Sequence, residues 1–424
     1  MSTEYYRKQA KALLKAAQSG DPAALQRLSR HAANNDSTAP KLHDAQLTIA
    51  REQGFASWPR FRAFIVQSGL DDQELVATFV ETALADLRRA EQMLADRPQI
   101  AAAGFYVALV LGDSKQVERA LTQTPELATG RGGSRNLEPL LYVCFSRFAG
   151  RTSSRAGGMA ETARVLLRRG ADANAALIPE DPPDNPLSCL YAATGLNNNA
   201  ALALALLESG ANPNDGESLY HSTEHRDLEC MNLLLRHGAT PASTNSLRHM
   251  LDREDLDGVQ ILLATGADPN EVNDRGETAL HWAVWRGRGA AIVAALLDSG
   301  ADLNAPRKDG RTAYALAVQS GQTEAAALLQ ARGAKTDLSA LDRFLGACTT
   351  ADPKELDRLL AAPPEIAAST GSERVLPELT MSHRTPAVRA LLAAGVPVDA
   401  RGDMGGKVCT GPAGRAMPTS WSCS

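Results

Sequence analysis

Apolar positions along this chain fall into short helical stripes, and one polar phrase closes stripe after stripe. Ile292, Val293, Leu296 and Leu297 recur at a spacing that puts them on one helix face, and Gly300, Ala301, Asp302 and Asn304 follow at once. Variants of Leu-Leu-x-x-Gly-Ala-Asp/Asn-x-Asn are written seven times, with glycines at Gly170, Gly210, Gly238, Gly266, Gly300, Gly333 and Gly395. The intervals between them are 40, 28, 28, 34, 33 and 62 residues, the last being two short units. A unit that recurs at this length cannot bury its own apolar face and must stack on its neighbours, so the pattern predicts an all-α helical solenoid.

Each part of the phrase has a physical task. The leucine pair closes an amphipathic helix. The glycine adopts the left-handed conformation that ends it, where a side chain would be strained. Asp302 and Asn304 favour a turn. A charged hairpin-like finger precedes the next helix, as in Asn273-Asp274-Arg275-Gly276, and Thr278 is placed to cap that helix through its hydroxyl. One unit therefore reads as finger, helix, short loop, helix.

Thr278-Ala279-Leu280-His281-Trp282-Ala283 and Thr312-Ala313-Tyr314-Ala315-Leu316-Ala317 resemble the Thr-Pro-Leu-His-x-Ala mark of the ankyrin repeat. Both depart from it. Alanine replaces proline in each, and the second copy lacks the histidine that would bond its threonine. The resemblance is clearest over residues 160–336 and extends in degenerate form over 71–402. Three segments read as units stopped by proline instead of glycine: Met93-Leu94 before Pro98, Ala120-Leu121 before Pro125, and Leu359-Leu360 before Pro363. The resemblance implies a non-enzymatic scaffold that binds a protein partner through its concave helical face and its fingers. Candidate partner-binding residues are Trp282, Trp285 and Arg286 on one helix, with Arg275, Glu277, Arg307, Lys308, Asp309 and Arg311 as a solvated polar rim. Trp285 beside Arg286 has the composition of an interface anchor, and its alternative is packing on a neighbouring repeat.

Residues 1–70 differ. Tyr5 to Ser19 reads as a helix with Ala12, Leu13 and Ala16 inward. Asp21-Pro22 begins a second helix ending near His31, and Leu42 to Pro59 reads as helix, glycine stop and aromatic turn. This stretch is similar to a helical leader found before several kinds of bacterial domain, ankyrin arrays among them. Phe55, Trp58, Phe61 and Phe64 are expected to form a small core that caps the array.

Candidate chemistry is sparse. His221 and His225 lie four apart on an expected helix, a spacing that lets two imidazoles share a metal, yet no third ligand stands near them in the sequence. Cys144 sits in the apolar run Leu140 to Phe145, where burial makes a thiol inert. Gly130 to Ser134 is glycine-rich but has no Gly-Lys-Ser/Thr ending, so it reads as a flexible loop and not a phosphate cradle. Arg147 to Gly158, with Arg147, Arg151 and Arg155, and Ile178 to Pro186 read as insertions that break the period, the first of mobile composition. The alternative function is a repeat-scaffold enzyme, or a small-molecule or anion sensor, using His221 and His225 or the Arg147–Arg155 loop. No catalytic, cofactor or metal residue is assigned.

Composition adds little. Aromatic residues make up 4% and the formal net charge is −5, which gives no footing for a nucleic-acid surface. The chain start lacks the apolar core of a signal peptide and no later stretch is apolar enough to span a bilayer, so a cytoplasmic protein without membrane contact is expected. Six cysteines without C-x-x-C spacing argue against zinc and against a disulfide framework. The tail, 403–424, has no helical periodicity although Ala400 to Gly406 has the look of a finger. One permitted codon choice from Val408 onward spells, in another frame, Leu-His-Trp-Ala-Cys-Trp-Pro-Gly-Tyr-Ala-Asp-Val-Val-Glu-Leu-Leu, a repeat in register. This predicts a frameshift near Gly406 or Lys407, a disordered out-of-frame tail, and an exposed apolar face around Val388, Leu391 and Leu392.

Overall fold

The computed structural model describes residues 3–31, 40–68, 72–179 and 186–350, with isolated positions at 376, 380, 388, 389 and 392. They gather into two compact units, residues 1–172 and 173–424. The architecture is all-α, as the stripes predict, and the one two-stranded sheet among the described residues is only two residues deep.

The first unit opens with four helices, α1 (Thr3–Gln18), α2 (Pro22–His31), α3 (Leu42–Glu52) and α4 (Trp58–Ser68). Ala10, Leu13 and Ala17 of α1 pack on Leu28, Ile49 and Phe61. Ala12 faces solvent, contrary to the expected inward set, because the stripe runs through Ala10, Leu13 and Ala17 at steps of three and four. Phe61 is the buried centre of the aromatic cluster, touching Tyr6 at 4.7 Å, Phe55 at 5.2 Å and Trp58 at 6.0 Å between ring centroids. Helix pairs α5 (Asp72–Ala85) with α6 (Leu87–Asp96), α7 (Phe105–Leu111) with α8 (Ser114–Gln123), and α9 (Pro139–Phe145) with α10 (Ala156–Arg168) follow. The prolines stop helices where expected: α6 gives way to a 3₁₀ turn at Pro98, and α8 to another at Pro125. The third proline stop, Pro363, lies outside the described residues.

Two loops of this unit make specific contacts. Gly130 to Ser134 belongs to a tight turn closed by the bridge between Gly132 and Leu137, and Tyr142 donates its hydroxyl to Gly132 O at 2.9 Å. Gly132 is half-buried there, and Gly130, Arg131, Gly133 and Ser134 are exposed. Likewise the arginine loop is anchored: Phe148 is buried, Arg155 lies over its ring at 5.7 Å, and the same guanidinium donates to Leu111 O at 3.2 Å.

The second unit repeats the finger-helix-loop-helix unit. Its pairs are α11 (Cys189–Tyr191), which continues into a π turn over Ala192–Leu196, with α12 (Ala200–Glu208); α13 (Ser218–Ser222) with α14 (Glu229–Arg236); α15 (Ser246–Asp252) with α16 (Leu256–Ala264); α17 (Ala279–Trp285) with α18 (Ala290–Asp298); and α19 (Ala313–Gln319) with α20 (Thr323–Ala331). Then comes α21 (Ala340–Thr350). First helices α13, α15, α17, α19 and α21 stack in order, as do second helices α16, α18 and α20. Val293 and Leu296 are fully buried between the layers. Six of the seven stop glycines are described, and all six hold φ between +88° and +102°. Gly395 lies outside.

Cys144, Cys189 and Cys230 are fully buried, whereas the Cys348 side chain, Cys409 and Cys423 lie outside the described residues. So do the tail, 403–424, and Leu391; Val388 is buried and Leu392 partly so. Among the described residues no helix is long and apolar enough to cross a membrane.

Candidate functional site

The first helices of the second unit begin at caps Glu217 for α13, Asn245 for α15 and Thr278 for α17. Counting from each cap exposes a pattern. The fourth residue is His221, His249 and Trp282; the seventh is Glu224, Asp252 and Trp285; the eighth is His225, Arg253 and Arg286. Each eighth residue reaches back to the seventh position of the preceding unit: His225 Nε2 meets Gly195 O at 2.6 Å, Arg253 donates to Glu224 O, and Arg286 Nε pairs with Asp252 at 2.7 Å. This polar ladder joins neighbouring repeats and leaves the outer faces of its rings half-exposed.

Aromatic and imidazole rings run alongside it. Tyr191 touches His221 at 5.0 Å, His221 touches Tyr220 at 5.0 Å, and Tyr220 touches His249 at 5.3 Å. Trp282 donates Nε1 to Asp252 at 2.8 Å and packs on Trp285 at 5.1 Å. Arg286 lies over both indoles, at 5.2 and 4.6 Å, the geometry of a cation–π clamp. Trp282 and Trp285 are both half-buried, and Arg286 is exposed. Between these helices and the finger at 273–277 lies a groove of about 190 Å³ lined by Tyr220, Asn245, Arg248, His249, Asp252, Asn273, Arg275 and Trp282. Burial pushes the His249 imidazole below its ordinary pKa of 6.5, and its Nδ1 sits 2.7 Å from Thr223 Oγ1.

Thr278 caps α17 as its sequence predicts. His281 Nδ1 accepts from the Thr278 backbone at 3.2 Å and from its hydroxyl at 2.8 Å, so Nε2 carries the proton and donates to Arg311 O at 3.3 Å. Thr312 caps α19 by accepting from Ala315 N alone. Fingers stack through Lys308 N donating to Arg275 O at 3.0 Å.

That stacking corrects the expected rim. Glu277, Arg307, Asp309 and Arg311 are not ordinary solvated charges. Glu277 takes Arg307 at 2.9 Å, Arg307 also holds Asp309, and Arg311 joins Asp309 at 3.0 Å to Asp342 at 2.7 Å. Glu277 is only 4% exposed and Arg311 8%. Successive fingers lie side by side, so alternating charges meet across them and leave water. Burial alone would raise the Asp309 carboxyl, but hydrogen bonds and charge from Arg307 and Arg311 outweigh it and hold its pKa at about 2. Lys308 remains exposed, and the Arg275 side chain keeps 40% of its surface.

The two histidines expected on one helix part company. Helix α13 ends at Ser222, so His225 lies in the following turn, and its Nε2 meets the Gly195 carbonyl near the end of the preceding π turn at 2.6 Å. His221 engages Glu217 at 3.0 Å and Glu224 at 3.1 Å. Among the described residues no three His, Cys, Asp or Glu side chains are grouped to hold a metal ion.

Sequence reading missed Tyr220, Arg248, His249 and Asp252. The ladder was findable in principle, but His221 to His249 is 28 residues and His249 to Trp282 is 33, so a fixed period misaligns them. Alignment on helix caps recovers the register.

Residues 247–340 match the family model described as ankyrin repeats, in three copies. No curated protein matches the chain. Similar solved structures include the human ASB11 ankyrin repeat domain, 20% identical, covering 55% of this chain and 99% of that one with a TM-score of 0.40. Another is the ankyrin repeat domain of Bcl-3, a member of the IkappaB protein family, 23% identical, covering 53% of this chain and 97% of that one with a TM-score of 0.43.

Proposed function

We propose, from the premise of ankyrin repeats over residues 247–340, that the chain is a non-enzymatic interaction scaffold. It binds a protein through the face of α13, α15 and α17 and the adjoining fingers, and the helices of residues 1–70 cap the array. The observation that carries this reading is two pairs of half-exposed rings on first helices, Tyr220 with His249 and Trp282 with Trp285, the second pair under Arg286 and both pairs represented in the lining of one groove. Trp, Tyr and Arg are enriched among interface anchors, and the two aromatics bury large areas at low entropy cost. Here Asp252 holds Trp282 through Nε1 and Arg286 lies over Trp285, which limits the ordering these two rings lose on binding.

Trp285→Ala tests it. Because the ring rests on Trp282 and Arg286 and is not enclosed, thermal and urea unfolding should move by no more than about 1 kcal/mol. Affinity for a partner recovered by pull-down should fall by about 2 kcal/mol, the usual scale of an interface anchor. A loss of about 3 kcal/mol or more in stability, with binding lost only through unfolding, would instead mark Trp285 as core.

A further inference from the structure

Of the three charged side chains that line the groove beside the finger at 273–277, two are arginines, Arg248 and Arg275, and one is Asp252. Arg248, on its floor, bonds only neutral acceptors: Asn245 Oδ1 at 3.2 Å, Glu271 O at 2.9 Å and Glu277 O at 3.0 Å. Its Nε is buried with no partner, and among the described residues no carboxylate pairs with it. Arg275 also lines the groove, its guanidinium 4.0 Å from a Glu277 carboxylate that Arg307 holds at 2.9 Å and Asn273 at 2.9 Å. The groove's own carboxylate, Asp252, is committed to Trp282 Nε1 and Arg286 Nε through the same oxygen. A guanidinium held by carbonyl dipoles, in a groove that a second arginine also lines, favours an incoming anion. Beside the two arginines are apolar surfaces, Tyr220 and Trp282 in the wall and Val272, 57% exposed, next to Asn273.

We propose that this groove binds an acidic peptide segment of a partner protein, its carboxylate over Arg248 and Arg275 and an adjacent aromatic or aliphatic side chain against Tyr220 and Trp282. This rests on reading the first-helix face as a protein-binding surface. A groove of about 190 Å³ holds one or two side chains, which suits a short peptide segment. Single-stranded RNA would also offer anions and rings, but its phosphate recurs at every nucleotide and would run onto Glu217 and Glu224 beside His221 and onto exposed Asp274.

The test is selection of random dodecapeptides displayed on phage against the immobilised full chain, followed by fluorescence polarisation of the enriched peptides. Enriched sequences should carry Asp or Glu within two or three residues of an aromatic or leucine, and amidation of that carboxylate should weaken binding about tenfold or more. Arg275→Glu, on an exposed finger, should weaken it similarly while leaving the melting curve in place, and added salt should weaken it further. Enrichment without acidic residues, no enrichment at all, affinity indifferent to Arg275→Glu, or tighter binding of a uridine homopolymer than of any peptide would each overturn the proposal. Neutral or basic peptides that still lose affinity on Trp285→Ala would overturn the acidic preference and leave the protein-binding face standing. Peptides indifferent to both Trp285→Ala and Arg275→Glu would overturn both.

Discussion

Arg311→Ala should destabilise the second unit by about 3–5 kcal/mol, the cost of stranding buried charges. The guanidinium holds Asp309 at 3.0 Å and Asp342 at 2.7 Å, its side chain is 9% exposed, and Asp342 is 7% exposed, so truncation takes the cation from buried Asp342 and leaves Asp309 to Arg307 alone. The finger mate Arg275, with 40% of its side chain in solvent, makes a control: Arg275→Ala should stay within about 0.5 kcal/mol. Urea unfolding of both variants checks the contrast, and equal effects would remove the buried network. The same network carries a pH signature. Asp309 is held at about 2 in the fold against an ordinary 3.8, so its contribution is complete above pH 3.8 and is lost as pH falls toward 2. Acid unfolding should therefore steepen in that window, and in Arg311→Ala the step should shrink, because a cation that depresses the carboxyl is gone.

The second large effect belongs to the first unit. Gly112 ends α7 at φ +68°, and a Cβ there would lie 2.8 Å from Met159 N and 2.9 Å from Gly158 C, both backbone atoms of α10. Neither can swing aside. Gly112→Ala should therefore cost about 2–4 kcal/mol, a left-handed penalty plus the separation of two helices. Gly170 shares the left-handed backbone, at φ +92°, but a Cβ there meets nothing within 4 Å. Gly170→Ala should cost only about 1 kcal/mol. Comparable melting curves for the two variants would mean that α7 and α10 are not in this close approach.

Local rules were legible without coordinates. The leucine pairs, the stop glycines, the Thr278 cap and the proline stops each depend on neighbours within a turn or two of chain, so sequence spacing carries them. What escaped were consequences of stacking. Glu277, Arg307, Asp309 and Arg311 have the composition of a solvated finger, and only the backbone link from Lys308 to Arg275 reveals that successive fingers exclude water between them. Tyr220, His249 and Asp252 belong to one face only after unequal repeat lengths are reconciled. The spacing of His221 and His225 suits one helix, but α13 ends at Ser222, and His225 meets the Gly195 carbonyl of the preceding repeat. The Ala12 position failed for a smaller reason. Alanine in a helix rich in alanine marks neither face.

Amide hydrogen exchange of the full chain, alone and saturated with a partner recovered from cells, tests the protein-binding face most directly. The account predicts slowed exchange at residues 218–226, 246–254 and 273–288, where the first helices and the finger meet. Protection confined to the second helices, residues 256–264, 290–298 and 323–331, with the first helices unchanged, would contradict it.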